Sequence, residues 1–99
     1  MSNHLNWKGM TALVTGGGRG IGRSIALLLG QANAQVVVAA RTQAEIEATA
    51  TMIHSSGGIA YALAADVAAE QDVERLFQFV RAQCGRLDLL VNNAGLGIY

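Results

Sequence analysis

Two kinds of apolar pattern alternate along this chain, and the alternation limits its fold more than any other feature. Thr11–Thr15 (TALVT), Gln35–Ala40 (QVVVAA), Ile59–Ala64 (IAYALA) and Leu87–Val91 (LDLLV) are short and almost continuously apolar. Between them apolar residues recur at helical spacing: Ile21, Ile25, Leu28 and Leu29, then Ile46, Ala50 and Ile53, then Val73, Leu76, Phe77 and Val80. A strand that is apolar on both faces suits a parallel sheet covered by helices rather than a half-solvated hairpin. The order β-α-β-α-β-α-β therefore predicts an α/β, doubly wound parallel sheet in one domain over residues 1–99. Right-handed crossovers give the strand order 3-2-1-4. Thr42-Gln43-Ala44-Glu45 reads as a capping box at the start of the second helix, with Ser55-Ser56-Gly57-Gly58 as its stop. Ala68 stands where a Ser or Thr would cap the third helix, and Gly85 lies just beyond that helix.

Composition removes several classes of function. Of the 99 residues 52% are hydrophobic and only 14% charged, against about 25% charged in an ordinary domain. Yet no apolar run approaches the roughly 20 residues of a membrane span. Seven basic and seven acidic residues cancel, so no field recruits nucleic acid or an anionic membrane. The single cysteine, Cys84, excludes an internal disulfide, and with two histidines and no clustered acids no metal site is expected. MSNHLNWKGM lacks the apolar core of a signal peptide, so a cytoplasmic location is expected. Cys84, on the apolar face of the third helix, reads as packing, as does Tyr61 in its strand. Trp7 reads as a cap on the base of the sheet, and His54 suits the C-terminal dipole of the second helix.

The first strand and the first helix are joined by TGGGRGIG, Thr15 to Gly22. Amides at a helix start lack intrahelical partners, and the helix dipole makes that end electropositive. A pyrophosphate docks there when no side chain obstructs it. Gly16 permits the tight turn, Gly20 admits the phosphates to the backbone, and Gly22 lets the helix pack closely on the sheet. The spacing is T-G-x-x-x-G-x-G, not the commoner G-x-G-x-x-G, because Arg23 fills the last place of that frame. Gly17, Gly22, Arg23 and Ser24 imitate a nucleotide-triphosphate loop, but arginine stands where lysine must reach the terminal phosphates. A methyl-donor site would want an acidic residue at the end of the second strand, where this chain has Ala40. A turn with no ligand is the remaining alternative.

TGGGRGIG at 15–22, Asp66-Val67 after the third strand and Asn92-Asn93-Ala94-Gly95 after the fourth together resemble the short-chain dehydrogenases/reductases, from about Lys8 to Gly97. Each motif lies at the C-terminal end of a predicted strand, where ligands of Rossmann-like sheets bind. The resemblance implies an NAD(P)(H) site. Gly16, Gly17, Gly18, Arg19, Gly20, Ile21 and Gly22 would cradle the diphosphate and adenosine ribose. Asp66 would accept from the adenine amino group, with the Val67 backbone against the ring. Asn93, Ala94 and Gly95 would line the ribose and the floor of the cleft, while Asn92 braces the fourth strand. NAD-selective members place an acid where this chain has Ala40, followed by Arg41. Arg19 and Arg41 would flank a 2′-phosphate with charge-assisted bonds, so NADP(H) is expected in preference to NAD(H).

The chemistry that the resemblance implies is hydride transfer between nicotinamide and a carbonyl or alcohol carbon, on a small substrate of the 3-oxoacyl kind. Its serine and its Tyr-x-x-x-Lys are not matched, so no catalytic residue is assigned: Tyr61 is followed four residues on by Ala65, and the only lysine is Lys8. The chain thus reads as the N-terminal, cofactor-binding part of a longer reductase that assembles as a homo-oligomer. The alternative is a non-catalytic nucleotide-binding or interaction fragment. In either case LDLLV is expected to form an exposed apolar edge, so that the isolated chain associates with itself and binds cofactor weakly.

Overall fold

A computed structural model describes residues 6–93. Along them run β1 (Thr11–Thr15), α1 (Gly20–Gln31), β2 (Gln35–Ala40), α2 (Gln43–Ser55), β3 (Ile59–Ala64), α3 (Glu70–Cys84) and β4 (Leu89–Asn92). The strands form one parallel sheet in the order β3-β2-β1-β4, as the alternation of apolar patterns requires. Val36, Val37 and Val38 are wholly buried at its centre. Each contributes roughly 1.5–3 kcal/mol through removal from water. Successive side chains point to opposite faces. Val14, Val36 and Val38 pack against Ala26 of α1 and Ile46, Ala50 and Ile53 of α2. Leu13, Val37 and Ala39 pack against Leu76 and Val80 of α3.

The first helix turns differently from its sequence pattern. Gly22, Ala26 and Gly30 are its buried residues, spaced by four, while Ile21 and Leu28 are 67% and 66% exposed. Small residues bring the helix axis close: a Cβ at Gly30 would stand 2.8 Å from Cγ2 of Ile53. Larger side chains on that face would hold α1 away from α2 and the sheet. In α3 the expected Phe77 is also exposed, and Phe79 takes its place beside Tyr61, edge to face at 6.0 Å. Cys84 packs beside the same cluster. Burial pushes its thiol pKa up, against a smaller opposing pull from the Thr11 hydroxyl.

The helix starts also depart from expectation. Thr42 is the N-cap of α2 but its side chain makes no capping bond. The Glu45 carboxylate lies instead 4.0 Å from Nε of Arg19. The N-cap of α3 is Ala69 rather than Ala68. The fourth strand begins at Leu89, two residues later than its apolar run. Its entry is made by a side chain: Oδ2 of Asp88 accepts the Thr11 amide at 2.8 Å, a place a strand carbonyl would otherwise take. Arg86 donates to both Asp88 oxygens, holding that carboxyl below the usual range with help from the Thr11 amide. His54, at the end of α2, donates through Nε2 to the Ala60 carbonyl at 2.9 Å. Trp7 packs against the cluster beneath α1 and α2.

Candidate functional site

The residues that follow the strands converge. Gly16 follows β1, Arg41 follows β2, Asp66 follows β3 and Asn93 follows β4. All four line one cavity of about 810 Å³, together with Gly18, Arg19, Gly20, Ile21, Val67 and Glu45. A volume of this size falls in the range of small-molecule and cofactor sites. Gly17 and Gly22 lie behind this wall. Ala94 and Gly95 lie outside the described residues.

Gly16 and Gly20 have positive φ, +70° and +59°, which a side chain would strain. At Gly20 an added Cβ would meet nothing within 4 Å, so the open space there is left by the backbone itself. Gly16 spends its own polar groups on the fold: its amide donates to Ala39 O at 2.7 Å and its carbonyl accepts from Nδ2 of Asn93 at 3.3 Å. It shapes the turn rather than offering a donor. The first amides of α1, from Gly20 to Gly22, have no preceding turn to bond to, and no acidic residue lies in that turn.

Sequence reasoning missed what holds the glycine turn from behind. Thr49 of α2, wholly buried, donates its hydroxyl to Gly17 O at 2.8 Å. Arg23 donates from Nε to the Thr49 hydroxyl at 2.9 Å and from Nη2 to Gly18 O at 2.6 Å. Two carbonyls that would repel an anion are thereby tied to the helices. In the sequence Arg23 stands out only for breaking G-x-G-x-x-G and for taking the lysine's place in an imitated triphosphate loop. Its partner is 26 positions away, a distance at which no local motif operates.

A second support lies under Asp66. Its amide donates to Oδ2 of Asp72 at 2.7 Å, and its Oδ1 accepts the Ala68 amide at 2.9 Å. The bond from the Asp66 amide, aided by Arg75, holds the Asp72 carboxyl below its usual range against a smaller effect of burial. An acid in the first turn of α3 thus fixes the loop after β3 instead of capping its own helix. Asn92 braces β4 as expected, accepting the Thr15 hydroxyl at 3.0 Å. Arg19 and Arg41 both border the cavity, and Arg19 is 82% exposed. Among the described residues no group of His, Cys, Asp and Glu could hold a metal ion, and no helix is long and apolar enough to cross a membrane.

Comparison with known proteins gives the same architecture. The short chain dehydrogenase family profile matches residues 10–99. The chain is 44% identical over 86 residues to the short-chain dehydrogenase/reductase homolog YusS of Bacillus subtilis, of which it covers 79%. It is 46% identical over 92 residues to dehydrogenase/reductase SDR family member 1 of Mus musculus, of which it covers 29%. A metagenomic short-chain oxidoreductase solved in complex with NADP superposes with a TM-score of 0.86 at 41% identity, over 91% of this chain and 41% of that one. A hydroxysteroid dehydrogenase from Escherichia coli superposes with a TM-score of 0.87 at 35% identity, over 89% of this chain and 37% of that one. Apart from YusS, then, the chain spans about a third of the length of these relatives.

Proposed function

The chain belongs to the short-chain dehydrogenase/reductase family, and from that premise we propose that it forms the cofactor-binding part of an NADP(H)-dependent oxidoreductase. The observation that carries the reading is the cavity at the strand ends, bordered by Arg19 and Arg41 where β2 ends in Ala40 rather than an acid. A bound nicotinamide dinucleotide supplies or accepts a hydride at a carbonyl or alcohol carbon. The chain's own residues bind and orient. The α1 amides receive the diphosphate, Arg23 and Thr49 keep the Gly17 and Gly18 carbonyls turned away from it, and Asp66 and Val67 meet the adenine. Asn93 ties β4 to the turn through the Gly16 carbonyl. A small carbonyl or alcohol of the 3-oxoacyl class is the proposed substrate, and a cytoplasmic homo-oligomer the proposed setting.

Arg19 lies largely in solvent, so each guanidinium contributes at the low end of charged hydrogen bonding. That is about 1.5 kcal/mol, or roughly tenfold per arginine. Replacing Arg19 and Arg41 together by alanine is expected to weaken NADPH about 100-fold in a titration and NADH by much less. Equal losses for the two cofactors would remove the 2′-phosphate assignment.

A second reading is a nucleotide-binding protein without catalysis. It is favoured by the coverage of YusS, a family member of which this chain spans 79%. Hydride transfer to a panel of small ketones and aldehydes, followed by NADPH absorbance, separates the readings. Turnover removes the second, and tight binding without turnover favours it.

A further inference from the structure

Of the two acidic residues described in the cavity wall, Glu45 and Asp66, it is Glu45 that lies beside Arg19, and the glycine turn packs against it. A Cβ at Gly18 would stand 2.8 Å from Cβ of Glu45 and 3.2 Å from its Oε1. Its sequence position, three after Thr42, predicts a capping role, yet Thr42 forms no side-chain cap and the carboxylate lies 4.0 Å from Nε of Arg19. Arg41 borders the same cavity. Although β2 ends without an acid, a carboxylate therefore reaches this region from α2 instead.

We infer that Glu45 is a specificity-determining residue that limits discrimination in favour of 2′-phosphorylated nucleotides. This rests on the NADP(H) reading and adds to it. In the free protein the carboxylate neutralises part of the charge Arg19 would offer. A 2′-phosphate that engages Arg19 must displace that contact and then accept a like charge nearby, whereas an unphosphorylated ribose does neither. Both partners are solvent-accessible, Arg19 at 82% and Glu45 at 37%, so the penalty is screened and moderate. Exposed ion pairs shift an equilibrium by about twofold to fivefold, and the repulsion acts in the same direction.

The test is calorimetric titration of the protein with adenosine 2′,5′-bisphosphate and with 5′-AMP, which differ only in the 2′-phosphate. The readout is the ratio of their dissociation constants. Loosening of the site as a whole leaves that ratio unchanged, so it separates a specificity role from a structural one. Glu45→Gln is expected to raise the preference for the bisphosphate about fivefold, and less in high salt. Glu45→Ala serves as a second variant, since the Glu45 carbonyl that Arg23 reaches belongs to the backbone. If wild type favours the bisphosphate and both variants leave the ratio within about twofold or lower it, the role of Glu45 is overturned while the NADP(H) reading stands. If the Arg19→Ala/Arg41→Ala variant keeps the wild-type ratio, the NADP(H) reading fails and the inference falls with it.

Discussion

Thr49 and Arg23 make the glycine turn a fixed surface rather than a loose loop, and they do so with a single buried hydroxyl. Thr49→Val keeps the shape of that side chain but leaves Gly17 O and Nε of Arg23 without their partner. An unsatisfied buried group costs about 1–3 kcal/mol. The urea midpoint should fall accordingly with an unchanged slope, and nucleotide affinity should fall with it. Arg41→Ala should separate the two effects, weakening NADPH while leaving stability within about 0.5 kcal/mol, because Arg41 is exposed and has no structural bond among those described. A matching stability loss in both variants would contradict this division between a cation that scaffolds the site and one that meets the ligand. The sequence distinguishes them poorly. Arg19 and Arg41 stand out because one sits in the glycine turn and the other just after β2, whereas Arg23 and Thr49 act through a contact between α1 and α2 that forms only on folding. Asp72 is hidden for the same reason: it looks like a first-turn acid, and only the path of the loop after β3 brings the Asp66 amide to it.

Asp72 gives the α3 entry a pH dependence whose sign is fixed. Its folded pKa is depressed, so the stability it contributes is present above the unfolded value of about 3.9 and is lost as pH falls through the lower folded value. The protection factor of the Asp66 amide, its intrinsic exchange rate divided by the observed one, should fall as pH drops through that window, and Asp72→Asn should remove the inflection. At α1 the decisive contact is with backbone. Gly22→Ala would gain about 1 kcal/mol of helix propensity, but its Cβ would fall 2.0 Å from Gly16 O and 2.7 Å from Nδ2 of Asn93. Neither the turn nor the helix can yield without moving the amides, so nucleotide affinity should drop by tenfold or more, about 1.4 kcal/mol at least. A Gly22→Ala protein that binds NADPH as wild type would refute the close approach. Element order, helix existence and strand pairing were all legible in the period of the apolar residues. The facing of α1 was not, since hydrophobicity points to Ile21 and Leu28 while close packing selects Gly22, Ala26 and Gly30.

Across the whole molecule the two sides of the sheet are covered unequally. α1 and α2 cover one face, whereas on the other α3 packs with Leu13 of β1, Val37 and Ala39 of β2 and Tyr61 and Leu63 of β3, and Leu90 of β4 is left 48% exposed. Among the described residues β4 pairs only with β1, so its outer edge offers amides and carbonyls beside an apolar side chain. Such an edge is a template for another strand. The 99-residue polypeptide, made on its own, is therefore expected to elute as larger species at higher concentration. Leu90→Lys should suppress that association, because a charge on an edge strand opposes pairing. It should cost little stability, within about 0.5 kcal/mol, because the side chain is half exposed and leaves no cavity. Gel filtration over a hundredfold concentration range, read beside the melting temperature, decides the matter. A wild-type chain that stays monomeric throughout would show that β4 is already covered. Association unaltered by Leu90→Lys would move the contact to another surface, with Leu28 and Ile59, both more exposed than Leu90, the apolar side chains to change next.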